Sequence, residues 1–294
     1  MVIQKIFSPD TVSLIKILGR NDRGEIYAQY TFLSIGNILR ERLWLKTQSA
    51  ILTSATLQVG ESFGYIQKTL GCEQFKTLEL ASDFDYSKQA LVFLPSDIGD
   101  IRNSETRKQA NQFIFDLVKI VWGRTLCLFT SFAAMKETVV QIYSNMKEIG
   151  IDLLTQWMSG AKQKLLESFK KNAAKSVLFG TDSFWEWVDI PGSDVELLVI
   201  HKFPFMVPTD PVFQARAKLF TDSFLEYSVP AMILKLKQWI GRLIRTKTDK
   251  GIIVILDRRI DSRWWQLVRE SFPAGIPVRS GISSDFLKLL SSKR

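Results

Sequence analysis

Histidine and cysteine are nearly absent from this chain. Its 294 residues include one His and two Cys, too few for a zinc site or a four-cysteine iron–sulfur cluster. Cys72 and Cys127 cannot build a disulfide framework, which fits a reducing cytoplasm. No apolar run reaches the ~18 residues needed to span a bilayer, and no signal peptide opens the chain. No membrane partner is therefore expected. A Gly-x-x-x-x-Gly-Lys-Ser/Thr phosphate loop is missing, and so is an Asp-Glu-x-His acid pair. Glycine is scarce as well, at 16 of 294, against a usual share of about 7%.

What is present suits a folded, basic protein. Hydrophobic residues make up 46% and aromatics 12%, enough for a sizeable core and against disorder. The formal net charge of +9 favours a polyanionic partner such as nucleic acid, although many basic proteins have none. Strand-like apolar runs occur at 50–57, 90–94, 125–129, 152–155, 176–179, 195–200 and 251–257. Helical spacing predicts helices over 33–45, 61–71, 105–121, 133–149, 160–171, 211–220, 229–245 and 261–271. From about residue 105 the two alternate, which predicts an α/β fold with a mainly parallel sheet covered by helices on both faces.

Several apolar runs end in small hydroxyl residues: Ser54 and Thr56, Thr130 and Ser131, Thr181 and Ser183. In open α/β sheets the carboxyl ends of the strands line the ligand crevice, where hydroxyls and backbone N–H groups bind phosphate without sequence preference. Further on, Gln238-Trp239-Ile240-Gly241-Arg242-Leu243-Ile244-Arg245 carries two arginines three residues apart. On a helix they share a face and can converge on one anion; the alternative is a solvated basic face. His201, ending an apolar strand, reads as a satisfied structural histidine.

In order along the chain stand Ser54-Ala55-Thr56, Leu128-Phe129-Thr130-Ser131, Gly180-Thr181 through Trp185-Glu186-Trp187-Val188-Asp189-Ile190-Pro191-Gly192, and Gln238-x-x-Gly241-Arg242-x-x-Arg245. This ordered set resembles motifs III to VI of superfamily 2 helicases of the DinG/XPD type, and the resemblance covers about residues 30–275. It implies a RecA-like lobe of an ATP-dependent DNA helicase with 5′→3′ polarity. Residues 1–60 would be the tail of a first lobe, including the motif III strand, and 61–294 the second lobe. Arg245 would be the arginine finger, with Arg242 beside it. Gln238, Gly241, Glu186 and Asp189 would face ATP. Thr130, Ser131, Thr181 and Ser183 would hold single-stranded DNA, with Trp185 stacking on a base or lying in the core. Ser54 and Thr56 would couple hydrolysis to DNA grip. The phosphate loop and the Mg²⁺ ligands belong to the upstream first lobe, either lost by truncation or carried on another polypeptide. Alone, the chain is therefore expected not to hydrolyse ATP. The rival reading is a non-catalytic nucleic-acid-binding module derived from a decayed lobe.

The resemblance also exposes a discrepancy. Trp122, Trp157, Trp187, Trp239 and Trp265 fall where the family carries glycine. An indole at 187 or 239 would be expected to intrude on the nucleotide cleft. Eight tryptophans are many, and assigning five of them to glycine brings both residues near ordinary usage. A gene from a lineage that reads UGA as glycine, translated with UGA as tryptophan, would produce this pattern.

Overall fold

The computed structural model describes residues 14–21, 23–158, 162–181, 190 and 192–292, the side chain of Asp261 excepted. The elements in chain order are β1 (Leu14–Arg20), β2 (Ile26–Phe32), α1 (Gly36–Arg42), α2 (Gly64–Leu70), α3 (Tyr86–Gln89), β3 (Ala90–Pro95) and α4 (Ser104–Val121). Next come β4 (Thr125–Phe129), α5 (Phe132–Glu148), β5 (Asp152–Thr155), α6 (Lys162–Lys171), β6 (Ser176–Thr181) and β7 (Leu197–Ile200). The last are α7 (Pro211–Ala217), α8 (Val229–Ile240), β8 (Gly251–Ile255), α9 (Trp265–Glu270), β9 (Val278–Gly281) and α10 (Ser283–Ser291). Two contact units form, one from the described residues up to 79 with 205–234, the other from 80–204 with 235–294.

The second unit carries a seven-stranded sheet in the order β5-β6-β4-β7-β8-β3-β9. Every pairing in it is parallel, as expected from the alternating pattern. Its inner strands are apolar on both sides. Phe93, Cys127, Phe129, Phe179, Val199 and Val254 join Ile114 and Leu117 of α4 and Met135 and Ile142 of α5 in one buried cluster. Their alternates Val92, Leu126, Leu128, Leu178, Leu198 and Ile253 are buried too. A strand with no polar face is what a parallel sheet covered on both sides requires. Helix α4 starts where the Asn103 carboxamide oxygen accepts from the Glu105 and Thr106 N–H groups, satisfying donors that the helix leaves orphaned.

The first unit contains the antiparallel hairpin β1–β2. Its turn is closed by Asn21, whose side-chain oxygen accepts from the Arg23 and Glu25 N–H groups, with Gly24 at φ 81°. Helices α1 and α2 meet at two glycines: a Cβ on Gly71 would lie 2.1 Å from the Gly36 carbonyl oxygen. The Trp44 indole N–H donates to the Leu70 carbonyl at 2.8 Å. That tryptophan has a polar partner for its only donor, as a native one should.

Two expectations fail here. Residues 51–57, read as the motif III strand, form no strand; Ile51 is 91% exposed. A strand needs a neighbouring backbone to pair with, and none of the described strands pairs with this run. Nor does helix α8 reach 245; it ends at Ile240.

Trp122 ends α4 with φ 59° and ψ 57°, and Gly123 follows at φ 93°. This left-handed cap is the conformation glycine adopts freely and a bulky side chain avoids. The indole, 47% exposed, gains little from burial in return. Trp122→Gly is expected to raise stability by about 1 kcal/mol, read as a higher urea midpoint at unchanged slope. Trp122→Ala, which keeps the Cβ strain, should not reproduce the gain.

Candidate functional site

The arginine stretch leaves α8 through a tightened turn. The Gly241 N–H still reaches the Lys237 carbonyl at 2.9 Å, but the Arg242 and Leu243 N–H groups bond only three residues back. Leu243 and Ile244 then turn into the core. The Leu243 side chain lies so close to Gly251 that a Cβ there would be 2.5 Å from Leu243 Cγ. Arg242 therefore lies in the final tight turn and Arg245 beyond it, not on a shared helical face. Gln238 is exposed on the last turn of α8, and both arginines are half-buried.

What fixes Arg245 is a carboxylate. Asp249 Oδ2 accepts the Arg245 and Thr246 N–H groups, each at 2.8 Å, and Oδ1 accepts the Thr246 hydroxyl at 2.8 Å. Burial pushes the Asp249 carboxyl up, and these donors outweigh it, leaving it below the ordinary carboxylate value. Gly192 presses on the same carboxylate: a Cβ there would sit 2.0 Å from Asp249 Oδ2. From the other side Gln89, buried at the end of α3, donates from Nε2 to the Thr246 and Asp249 carbonyls at 2.9 and 3.0 Å. The loop 245–249 is thus held at the N-terminal end of β8, against the glycine that follows Asp189-Ile190-Pro191. Asp249 and Gln89 were not singled out from sequence. Thr246-Lys247-Thr248-Asp249 does carry the signature of a side-chain-closed turn, whereas nothing local links Gln89 to it.

The hydroxyl residues gather at the opposite end of the sheet. Phe129 and Thr181 are register partners in the β4–β6 pair, so Thr130 and Ser131 leave β4 beside the end of β6. Ser131 is exposed and N-caps α5, its Oγ accepting from the Ala134 N–H at 3.4 Å. Thr181 is buried, and its N–H and hydroxyl both donate to Gln156 Oε1, at 3.1 and 2.9 Å. Ser54 and Thr56 lie in the first unit, exposed, with hydroxyls 3.2 Å apart in a local turn. Ser183, Trp185, Glu186, Trp187 and Asp189 lie outside the described residues.

The suspect tryptophans behave differently from one another. Trp239, expected to protrude, is 3% exposed and taken into the interior. Trp157 is exposed beneath the Lys136 ammonium, 5.4 Å from the ring centre. Trp265 packs against Phe203 and Phe272.

His201, after β7, is buried with its ring 4.8 Å from that of Phe129. Burial pushes its pKa down to about 4; Asp257 and Glu137 oppose the shift, and Lys202 and Arg107 add to it. The imidazole is therefore neutral, the structural histidine that the sequence suggested.

Residues 114–275 match the helicase C-terminal domain family. The chain belongs to this family. It is 34% identical over 273 residues to the 3'-5' exonuclease DinG of Bacillus subtilis, covering 88% of this chain and 29% of that protein. It is 35% identical over 237 residues to the ATP-dependent DNA helicase YoaA of Escherichia coli, covering 79% of this chain and 36% of the relative. The chain thus spans about a third of the length of these relatives. A solved apo structure of XPD superposes with a TM-score of 0.52 at 16% identity, covering 74% of this chain and 46% of that one. Together with the parallel sheet, this makes the fold α/β and RecA-like, in a helicase C-terminal domain of DinG/XPD type.

Two outcomes test this geometry. Gly192→Ala should displace a carboxylate that three hydrogen bonds hold, lowering stability by about 2–3 kcal/mol, with Asp249→Ala costing a similar amount in urea melts. The second concerns pH. Unfolded, His201 titrates near 6.5 and folded at about 4, so the unfolded chain binds the extra proton between these values. Its contribution is intact above pH 6.5, declines as pH falls, and levels off below about 4. The span is on the order of 3 kcal/mol. His201→Gln should flatten stability across that window in pH-dependent urea melts.

Proposed function

We propose that this chain supplies the second RecA-like lobe of an ATP-dependent DNA helicase with 5′→3′ polarity. In this reading residues 1–60 connect it to an upstream first lobe and 61–294 form the second. The observation that carries the proposal is the fixation of Arg245. Its main chain is clamped by the buried Asp249 carboxylate, which is itself wedged against Gly192, three residues after Asp189 in the sequence. Main-chain fixation limits how far the guanidinium can stray, and a preorganised cation is what stabilises charge developing on a transferred phosphoryl group.

ATP with Mg²⁺ fits this chain only in part. Gln238, Arg242 and Arg245 are donors suited to a triphosphate, and the resemblance adds Asp189 and Glu186 to them. Among the described residues no cluster of three His, Cys, Asp or Glu could hold a metal ion; by the family resemblance Mg²⁺ would be held by the first lobe. The nucleotide, when bound, supplies phosphoryl transfer to water; Arg245 provides positive charge at that phosphate and Gln238 a hydrogen bond. Thr130, Ser131 and Thr181, at the other end of the sheet, together with Ser183 and Trp185 would hold a single strand of DNA. Because Thr181 is engaged with Gln156, its role would be to fix the end of β6 rather than to bond DNA through its hydroxyl. Ser54 and Thr56 would couple the two events.

Supplying a first lobe that carries the phosphate loop should yield an ATPase stimulated by single-stranded DNA. Arg245→Ala should then lower kcat at least a thousandfold with little change in DNA affinity. An intact DNA complex without hydrolysis in the restored enzyme would instead establish the non-catalytic module.

A further inference from the structure

A cavity opens on the edge of the sheet that carries Thr130 and Ser131. It measures about 170 Å³ and is lined by Asp100, Ile101, Arg102, Lys202, Asp257, Arg258 and Arg259. These residues follow the C-terminal ends of three strands: β3 leads to Asp100 and Arg102, β7 to Lys202, and β8 to Asp257, Arg258 and Arg259. Since all pairings are parallel, these ends lie on one edge with those of β4 and β6.

Four cations stand here against two carboxylates, and both carboxylates are occupied. Asp257, 4% exposed, accepts the Phe203 N–H at 2.9 Å and the Arg259 Nε at 2.9 Å. Asp100 accepts the Arg102 Nε at 2.7 Å and its N–H at 2.9 Å. Arg258 is tethered to the Ser96 carbonyl at 3.0 Å. Each guanidinium is therefore anchored at the wall of the cavity, and the excess of positive charge is built into the site, as recognition of an anion demands.

Strands β4 and β8 are separated only by β7, so the cavity begins one strand spacing from Thr130 and reaches β8 at the next, about 10 Å away. We propose that this cavity is a phosphodiester-binding subsite which extends the nucleic-acid track from β4 across β7 to β8 and β3. Lys202 and Arg258 are its principal phosphate contacts, while Arg259 and Arg102 are locked by Asp257 and Asp100. The inference rests on the reading of Thr130 and Ser131 as backbone contacts, and it lengthens their footprint by a few nucleotides.

The test is fluorescence anisotropy of the whole chain with labelled oligo-dT across a salt series. Lys202→Gln and Arg258→Gln should each weaken binding about three- to tenfold at low salt and make the log–log salt slope shallower by about 0.7 per lost contact. Lys202→Arg should retain the slope. Thermal melts should stay close to wild type, since the bond that Arg258→Gln gives up, to the Ser96 carbonyl, is an exposed one. If wild type binds and both Gln variants keep its affinity and slope, the subsite is wrong and the track ends at β4. Failure of wild type to bind overturns the nucleic-acid reading and the subsite together. Inorganic phosphate displacing the oligonucleotide from wild type at constant ionic strength, but not from Lys202→Gln, would make this a free-anion site and overturn the extension.

Discussion

Parallel pairing is the constraint on which the rest of the second unit depends. It forces every connection to cross back over the sheet, and it sends all the strands out through the same edge. Polar residues that follow β3, β4, β7 and β8 are thereby collected without any sequence signal joining them. The loops that precede β7 and β8 are collected at the opposite edge, where Gly192 meets Asp249. Two chemically distinct sites follow from one topological rule. One edge carries hydroxyls and anchored cations, the other an arginine loop clamped by a carboxylate.

How much of this could be read beforehand differed by element. Strands β3 to β8 are continuous apolar runs and were legible, because burial on both faces leaves no other composition available. The edge strand β9, Val278-Arg279-Ser280-Gly281, has one apolar residue and was not expected; it exists because the β3 edge offers it partners. Residues 51–57 have the composition of a strand without the neighbour. The β1–β2 hairpin was not among the expected strands, since it mixes exposed and half-buried apolar residues with no clean alternation.

The candidate site divides in the same way. Its arginines and hydroxyls were named from motif order, but their supports were not. Gln89 lies 157 residues before its partner Thr246, and no spacing argument reaches that far. The end of α8 was misplaced because apolar Leu243 and Ile244 continue a helical pattern, whereas in three dimensions they plug the space beside Gly251. The tryptophans also separate on structural grounds. Trp44 has a hydrogen-bonded indole, and Trp122 occupies a backbone conformation suited to glycine. The latter is what a codon for glycine read as tryptophan would leave behind.

The Gln89 clamp has a consequence for assembly. Closing a loop of that length costs chain entropy before any bond repays it, and contacts so remote in sequence form late. On a ribosome, β3 emerges long before β8, so the arginine loop stays unclamped until nearly the whole second unit has left the exit tunnel. Capacity to offer Arg245 in a fixed position is therefore tied to completion of the sheet, and a chain stalled before residue 251 would display the motif without its geometry.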